Sequence, residues 1–177
     1  NDSTCEIELD EAPPKEPEKE ALKTILEIAL MANAQILKKV FVMRKMVIDG
    51  SNTSGFQRTA LIALGGKIKL KNKELGIQTI ILEEDASRPM KKTKTEIVYR
   101  VDRLGIPLIE LATEPELNTP EEVKEAALAI GKLFRLTGRT KRGLGTIRQD
   151  VNVSIKGGTR VEIKGVQDLE GIDEFVR

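Results

Sequence analysis

Between Gly76 and Glu116 the chain carries carboxylates where a strand should be dry. The run from Gly76 to Leu82 is almost wholly apolar and ends in Glu83, Glu84 and Asp85, and a second apolar run, Ile106 to Ala112, holds Glu110 between Ile109 and Leu111. Acids on a solvated surface normally have polar neighbours. Here the neighbours are those of a buried strand, so the charges must be paired or must hold a cation. A strand ending in a wet acidic turn would explain a lone Glu-Glu-Asp, but not the rest of the pattern.

Alternation along 76–84 puts Glu83 with Ile77 and Ile81, and Glu84 with Ile80 and Leu82, so the two acids face opposite sides of a sheet. Gln78 makes the Glu84 face the more polar. Glu84 is therefore the expected contributor to a site floor, which leaves Glu83 to pair with a basic neighbour such as Arg103.

The 177 residues suffice for one substantial core and are too few for two ordinary domains, so a single domain over 1–177 is expected. With 29 basic and 28 acidic side chains the net charge is +1, and basic character is local, at 67–73, 91–94 and 135–142. The single cysteine, Cys5, excludes an internal disulfide framework and fits a reducing, cytoplasmic setting. No apolar run approaches the roughly 18 residues of a membrane span. Histidine is absent, so catalysis within these residues would use carboxylates, Lys, Arg, hydroxyls or metal ions.

Taken in order, residues 5–9 alternate like a strand that Pro13-Pro14 ends. Pro17 suits the first turn of a helix over 17–33, with Leu22, Ile25, Leu26, Ala29 and Leu30 at helical spacing. Residues 40–48 read as a strand running into a loop at 49–55 with two glycines and several hydroxyl and amide groups, a backbone able to approach a ligand closely. Strands are expected at 56–64, 67–70, 76–84, 94–102 and 106–112, with a lysine-rich link after the acidic triplet and a turn at 102–105. Lys67, Lys69, Lys71 and Lys73 fall on one side of their segment. No aromatic residue interleaves them for base stacking, so they read as protection of a sheet edge rather than an RNA track. Thr119 and Pro120 open a second helix to about Gly138, with Val123, Ala127, Ile130 and Phe134 as its buried stripe.

Residues 146–164 read as a hairpin with Ile147, Val151, Val153 and Ile155 on one face and Arg148, Asp150, Asn152 and Ser154 on the other. Facing residues must share a side of the sheet, which requires an odd loop. The loop Lys156-Gly157-Gly158 meets this, setting Asn152 opposite Glu162 and Asp150 opposite Lys164, whereas a two-residue turn would set Ile155 against Arg160. The polar face is either a solvated sheet surface or the floor of a site. Strands, then a helix, then a hairpin give an α+β class, mainly antiparallel sheet with two core-facing helices.

Several blocks in one order carry a resemblance. E-A-P-P at 11–14, V-M-R-K-M-V-I-D-G-S-N-T-S-G-F-Q-R-T-A at 42–60, I-L-E-E-D-A at 81–86, D-R-L-G-I-P-L-I-E-L-A-T-E-P-E at 102–116, R-G-L-G-T-I-R-Q-D-V-N-V-S-I at 142–155 and T-R-V-E-I-K-G-V-Q at 159–167 resemble the GatB/GatE family, the archaeal branch more closely. The resemblance implies a cradle-type catalytic domain that uses ATP and magnesium to phosphorylate the γ-carboxylate of glutamate mischarged on tRNA(Gln). Ammonia from an asparaginase-like partner subunit, GatD, then displaces the phosphate. It also implies that Glu84, Glu110 and Glu162 converge as the catalytic and metal-binding set, with Glu83 and Asp85 as further metal candidates. Arg148, Lys164, Arg142 and the Gly143-Leu144-Gly145 loop become candidates for phosphate or tRNA-end contacts, and Ser51 to Arg58, including Ser54 and Gln57, line the same cavity. Such a set suits the chemistry, since magnesium takes oxygen ligands and phosphoryl transfer depends on positioning and charge neutralisation.

The family's opening Gly-Leu-Glu-Ile-His motif and its later insertion, helical and tail domains are not found in these residues. The chain thus reads as a piece of the cradle, expected not to amidate glutamyl-tRNA(Gln) alone. Two other classes remain: a scaffold and partner-binding module, or a general RNA-binding domain. Saturable binding of Mg-ATP favours the first reading and its absence the scaffold, while a steep salt dependence on unrelated RNAs would point to the RNA-binding domain.

Overall fold

The computed structural model describes residues 6, 11–12, 15–48, 50–166, 168–169 and 171–177. The strand expected over 5–9 lies outside these residues apart from Glu6, which sits in a turn and accepts the N–H groups of Glu11 and Ala12.

Helix α1, Lys19–Met31, starts where the Glu18 carboxylate accepts the Ala21 N–H at 2.6 Å. It ends two residues before Asn33, whose φ of 52° is left-handed. Its buried side chains, Thr24, Ile25, Ile28 and Ala29, form one helical stripe.

That stripe covers one face of a six-stranded antiparallel sheet. The strands are β1 (Gln35–Ile36), β2 (Val42–Met46), β3 (Phe56–Leu64), β4 (Lys67–Lys69), β5 (Glu74–Glu84) and, later in the chain, β8 (Pro107–Thr113). β3 and β5 form the centre, with β1 and β2 outside β3 and with β4 and β8 outside β5. Ile62, Leu75, Ile77, Ile80 and Leu82 meet Ile25 and Ile28 in the main core. Burying an aliphatic side chain of this size stabilises by about 1.5–3 kcal/mol.

Edge placement of the lysines holds for Lys67 and Lys69, which are exposed on β4 at the end of the sheet. Lys71 and Lys73 lie past the strand, and Lys73 instead reaches Glu122 at 2.8 Å and the Glu116 carbonyl at 2.6 Å. The lysine-rich link is a strand, β6 (Arg88–Lys92), paired with β7 (Ile97–Arg100) as a separate hairpin. Its Pro89 and charges hide it, and all but Arg88 are exposed, which is how an unburied two-stranded ribbon looks in sequence.

Helix α2, Pro120–Leu136, has Thr119 accepting the Glu122 N–H at 3.2 Å, with acidic residues in its first turn as expected. Phe134 and Ala126 join the main core, while Ala127 heads a second cluster with Val151, Val166 and Ile172. Those belong to the hairpin β9 (Gln149–Val153) and β10 (Val161–Val166) and to the short helix α3 (Ile172–Val176). The register sets Asn152 opposite Glu162 and Val153 opposite Val161, as the odd-loop argument requires. Asp150 departs from expectation: the ladder is irregular after Ile163, and Asp150 accepts the Gly165 N–H at 3.1 Å while Lys164 lies 3.4 Å from Glu162. The class is therefore α+β with mainly antiparallel sheet.

Candidate active site

Which acid joins the site is decided by a bulge. Between Ile77 and Thr79 the pairing of β5 with β8 shifts by one residue, as does that of β3 with β5 between Leu61 and Ala63. Leu75 and Ile77 point into the core, and so do Ile80 and Leu82, with the phase changed across exposed Gln78. Glu84 thus follows Leu82 on the face toward α1, and Glu83 follows Ile81 on the other.

Glu110 stands directly opposite Ile81, so it shares Glu83's face. This corrects the expectation that Glu84 and Glu110 lie together. Strict alternation cannot see the bulge, and Gln78, taken as a sign of a polar face, marks the bulge itself. Glu84 is instead the cross-strand neighbour of Arg58, at 3.0 Å, and its carbonyl accepts the Gln57 amide at 3.0 Å. The Arg58 side chain is only 10% exposed, so it is tied to Glu84 on the core side rather than lining Glu83's face. A cavity of about 20 Å³ lies beside this pair, bordered by Pro17, Glu18 and Pro107.

Glu83 is 5% exposed and is bound by Lys45, Nζ to Oε1 at 2.5 Å, and by the Thr59 hydroxyl at 3.3 Å. It does not pair with Arg103. Lys45 reaches it because β2 lies across β3 with Lys45 opposite Gln57 and Met43 opposite Thr59. Partial desolvation raises the Glu110 carboxyl above its ordinary value although the residue is exposed on edge strand β8, Glu83's repulsion and the hydrogen bond shared with it add to that, and Lys45 opposes it. The charge of Asp150 on the β9–β10 hairpin pushes weakly in the same direction. The Glu84 carboxyl is also raised, by burial against a partial offset from Arg58.

Asp85 continues Glu83's phase two residues on. Arg148 approaches it from just before β9, 3.9 Å away, and Arg103 from the 102–105 turn, 3.6 Å away. Glu162 sits on the hairpin face that carries Asn152, with Lys164 beside it. Gly143, Leu144 and Gly145 border a groove of about 470 Å³ against the outer side of α2, with Arg142 exposed where the loop begins. In the 50–55 loop buried Asn52 receives the Ser54 N–H and donates to the Phe56 carbonyl, Tyr99 ties Gly50, and Ser87 contacts Thr53. Ser51 belongs to the same loop.

Among the described residues no three carboxylate or thiol side chains come close enough together to hold a metal ion. A magnesium site needs fewer, since this ion takes one or two carboxylates and fills its other positions with water and phosphate oxygens. The Glu83–Glu110 pair fits that requirement. Two acids on one face resist joint ionisation without a cation, and Lys45 supplies that charge here. Lys45 and Thr59 are not named as site residues by the sequence reading, which places Asp150 only on a hairpin face that is either solvated surface or site floor. Lys45 falls inside the strand expected at 40–48, where a charge among Val42, Met43, Met46 and Val47 is the available signal.

Known sequences match the chain along its whole length. The family described as GatB/GatE catalytic domain matches residues 1–177. The chain belongs to the GatB/GatE family. Its relatives include the E-type subunit of glutamyl-tRNA(Gln) amidotransferase from Pyrobaculum aerophilum, 56% identical over 175 residues, and its counterpart from Methanocaldococcus jannaschii, 53% identical over 176. Each alignment covers 99% of this chain but only 29% and 28% of the relative, so the chain spans less than a third of the GatB/GatE proteins it matches. No helix among the described residues is long and apolar enough to cross a membrane.

Proposed function

We propose that this chain is the part of a cytoplasmic tRNA-dependent amidotransferase subunit in which ATP activates the γ-carboxylate of glutamyl-tRNA(Gln). The observation that carries the reading is the Glu83–Glu110 pair compensated by Lys45, in a chain whose relatives are named for this reaction. A carboxylate oxygen of the substrate attacks the γ-phosphorus of ATP, the bond to the β,γ-bridging oxygen breaks, and ADP leaves. Ammonia then attacks the acyl carbon, the carbon–oxygen bond to phosphate breaks, and the nitrogen loses a proton to give glutaminyl-tRNA and inorganic phosphate. An asparaginase-like GatD subunit is the source of ammonia in this reading.

Magnesium, when bound, neutralises charge on the transferring phosphoryl group. Glu83 and Glu110 would hold it, with Asp150 close by and Glu162 on the adjoining hairpin face. Lys45, now engaged by Glu83, offers its ammonium to an anionic oxygen once that carboxylate is otherwise occupied. None of these steps needs a protein nucleophile, which suits a chain without histidine.

The test uses the whole subunit that contains this chain. With magnesium, ATP, ammonium chloride and glutamyl-tRNA(Gln), ADP release should depend on the charged tRNA, and glutaminyl-tRNA should accumulate. ADP release that ignores the charged tRNA would overturn the reading.

A further inference from the structure

We propose that Arg103 and Arg148, held by Asp85, form a clamp for the phosphoryl group transferred at this site, with Asp85 as a positioning residue and not a metal ligand. The proposal deepens the functional reading above and rests on it.

Asp85 is fixed before any ligand arrives. Its N–H donates to the Ile106 carbonyl at 2.7 Å, its carbonyl accepts the Gly105 N–H at 3.0 Å, and its Oδ1 accepts the Ala86 N–H at 2.9 Å. The side chain is 12% exposed, so the carboxylate is held among its neighbours rather than swinging in water. Two guanidinium groups stand around it: Arg103 Nε lies 3.6 Å from Oδ2, and Arg148 Nη2 lies 3.9 Å from Oδ1. Both separations exceed the length of a good hydrogen bond, about 2.7–3.2 Å. The carboxylate therefore attracts both arginines without using up the donors it faces.

Arg103 shows this most sharply, because its Nε is buried and has no hydrogen-bond partner. The side chain as a whole is 39% exposed, so the guanidinium is open to an incoming acceptor while its Nε makes no hydrogen bond within the protein. The local charge says what kind of acceptor it would be. Around Asp85 itself one carboxylate faces two guanidinium groups, so the donors left over there suit an anionic acceptor, whereas the acids that would take a cation are Glu83 and Glu110. Guanidinium forks match the oxygens of a phosphate, and they do so with more geometric definition than a lysine.

The position of the clamp fits the same conclusion. Asp85 lies two residues beyond Glu83, just past the end of β5, where its backbone bonds to Ile106 and Gly105, so the arginines stand at the end of the strand that carries Glu83. Phosphoryl transfer spreads charge over the equatorial oxygens of the moving group. Cations approaching those oxygens from the Glu83–Glu110 side and guanidinium groups from the Asp85 side would neutralise that charge from two directions. The group bound is then the γ-phosphoryl of a nucleoside triphosphate, and ADP should feel the clamp little.

The experiment compares binding of a non-hydrolysable ATP analogue and of ADP to the whole subunit, wild type and variants. Arg103→Gln and Arg148→Gln should each weaken the analogue about ten- to a hundredfold while changing ADP affinity less than about threefold. ADP binding also reports that each variant is folded. Asp85→Asn should lower kcat with little change in the KM for glutamyl-tRNA(Gln), because the arginines remain but are no longer aimed, and Arg103→Lys should recover less analogue affinity than charge alone predicts. Equal loss of analogue and ADP, or no loss of either, overturns the clamp and leaves the functional reading intact. A wild-type subunit that binds neither nucleotide overturns both.

Discussion

Lys45 Nζ stands 2.5 Å from Glu83 Oε1, reaching over β3 from an edge strand whose five residues are all exposed. An exposed lysine thus neutralises a buried acid, and the neutralised acid lies next to a second one whose proton it helps to retain. Charge balance on this face is set by a residue that a buried-core view of the protein would pass over.

Replacing that lysine should therefore cost stability out of proportion to its exposure. Lys45→Met leaves Glu83 with the Thr59 hydroxyl as a side-chain donor, and an unsatisfied buried acceptor costs about 1–3 kcal/mol. Urea unfolding near neutral pH measures the loss. Adding Glu83→Gln in the same background should restore most of it, because the uncompensated charge is then gone. Equal unfolding midpoints for wild type and Lys45→Met would refute the pairing.

Glu110 gives a prediction with a sign. Its carboxyl in the folded protein is held above the ordinary value of 4.5, first by burial and then by Glu83, so the folded state binds the proton more tightly than the unfolded chain. That preference stabilises fully below the unfolded pKa and is lost as pH rises through the folded one. Glu110→Gln keeps the neutral form at every pH. It should be more stable than wild type at about pH 7, with the gap closing toward about pH 4 as the wild-type carboxyl takes up its proton. Urea midpoints for both proteins at the two pH values check this, and a gap that widens in acid would reverse the assignment.

A third expectation concerns the seam between α1 and the sheet. Gly66 has φ +109°, and a Cβ there would lie 2.8 Å from the Ala32 carbonyl oxygen and 3.0 Å from the Ala34 Cβ. Neither neighbour can move easily, since the Ala32 carbonyl also accepts the Lys67 N–H that starts β4. Gly66→Ala should destabilise by about 1–3 kcal/mol from backbone strain, with the clash adding to it. Hydrogen exchange at Lys67 and Ile77 should quicken ahead of the rest of the sheet, because the Lys67 N–H bonds across this seam to Ala32 and the Ile77 N–H bonds to the Gly66 carbonyl itself.

Much of the architecture was legible because it depends on periods and caps. The helices followed from Ile25, Ala29 and Phe134 at helical spacing and from Thr119 before Pro120, and the pairing of Asn152 with Glu162 followed from parity, though the expected one of Asp150 with Lys164 is not formed. The site was legible in kind, through acids in apolar surroundings, but not in detail. A single bulge at Gln78 exchanged the roles expected of Glu83 and Glu84, and no local property of Gln78 distinguishes a bulged glutamine from one on a regular strand. Long-range partners were equally hidden: Lys45 meets Glu83 across 38 positions, and Arg148 reaches Asp85 through the hairpin's packing on α2. Residues 88–92 were missed for the opposite reason, since they pair without burying an apolar face.

The exchange of Glu83 and Glu84 can be decided at the bench. Glu83 shares a face with Glu110 and Lys45, whereas Glu84 binds Arg58 on the side toward α1. In the whole subunit Glu83→Gln should slow phosphorylation of glutamyl-tRNA(Gln) by about a hundred- to a thousandfold, the scale of losing one pre-positioned charge-stabilising group. Glu84→Gln should change the rate only a few-fold per folded molecule. Its effect belongs on stability, because it leaves the buried Arg58 guanidinium without a charged partner, and breaking such a pair is costlier than never having built it. The two variants therefore separate in opposite directions: one folds normally and reacts slowly, the other reacts normally and melts early. Glutamyl-tRNA(Gln) affinity should be unchanged in both, since neither acid is expected to contact the body of the tRNA. A Glu84→Gln subunit that folds normally but loses phosphorylation would restore Glu84 to the site and refute the assignment made from the bulge.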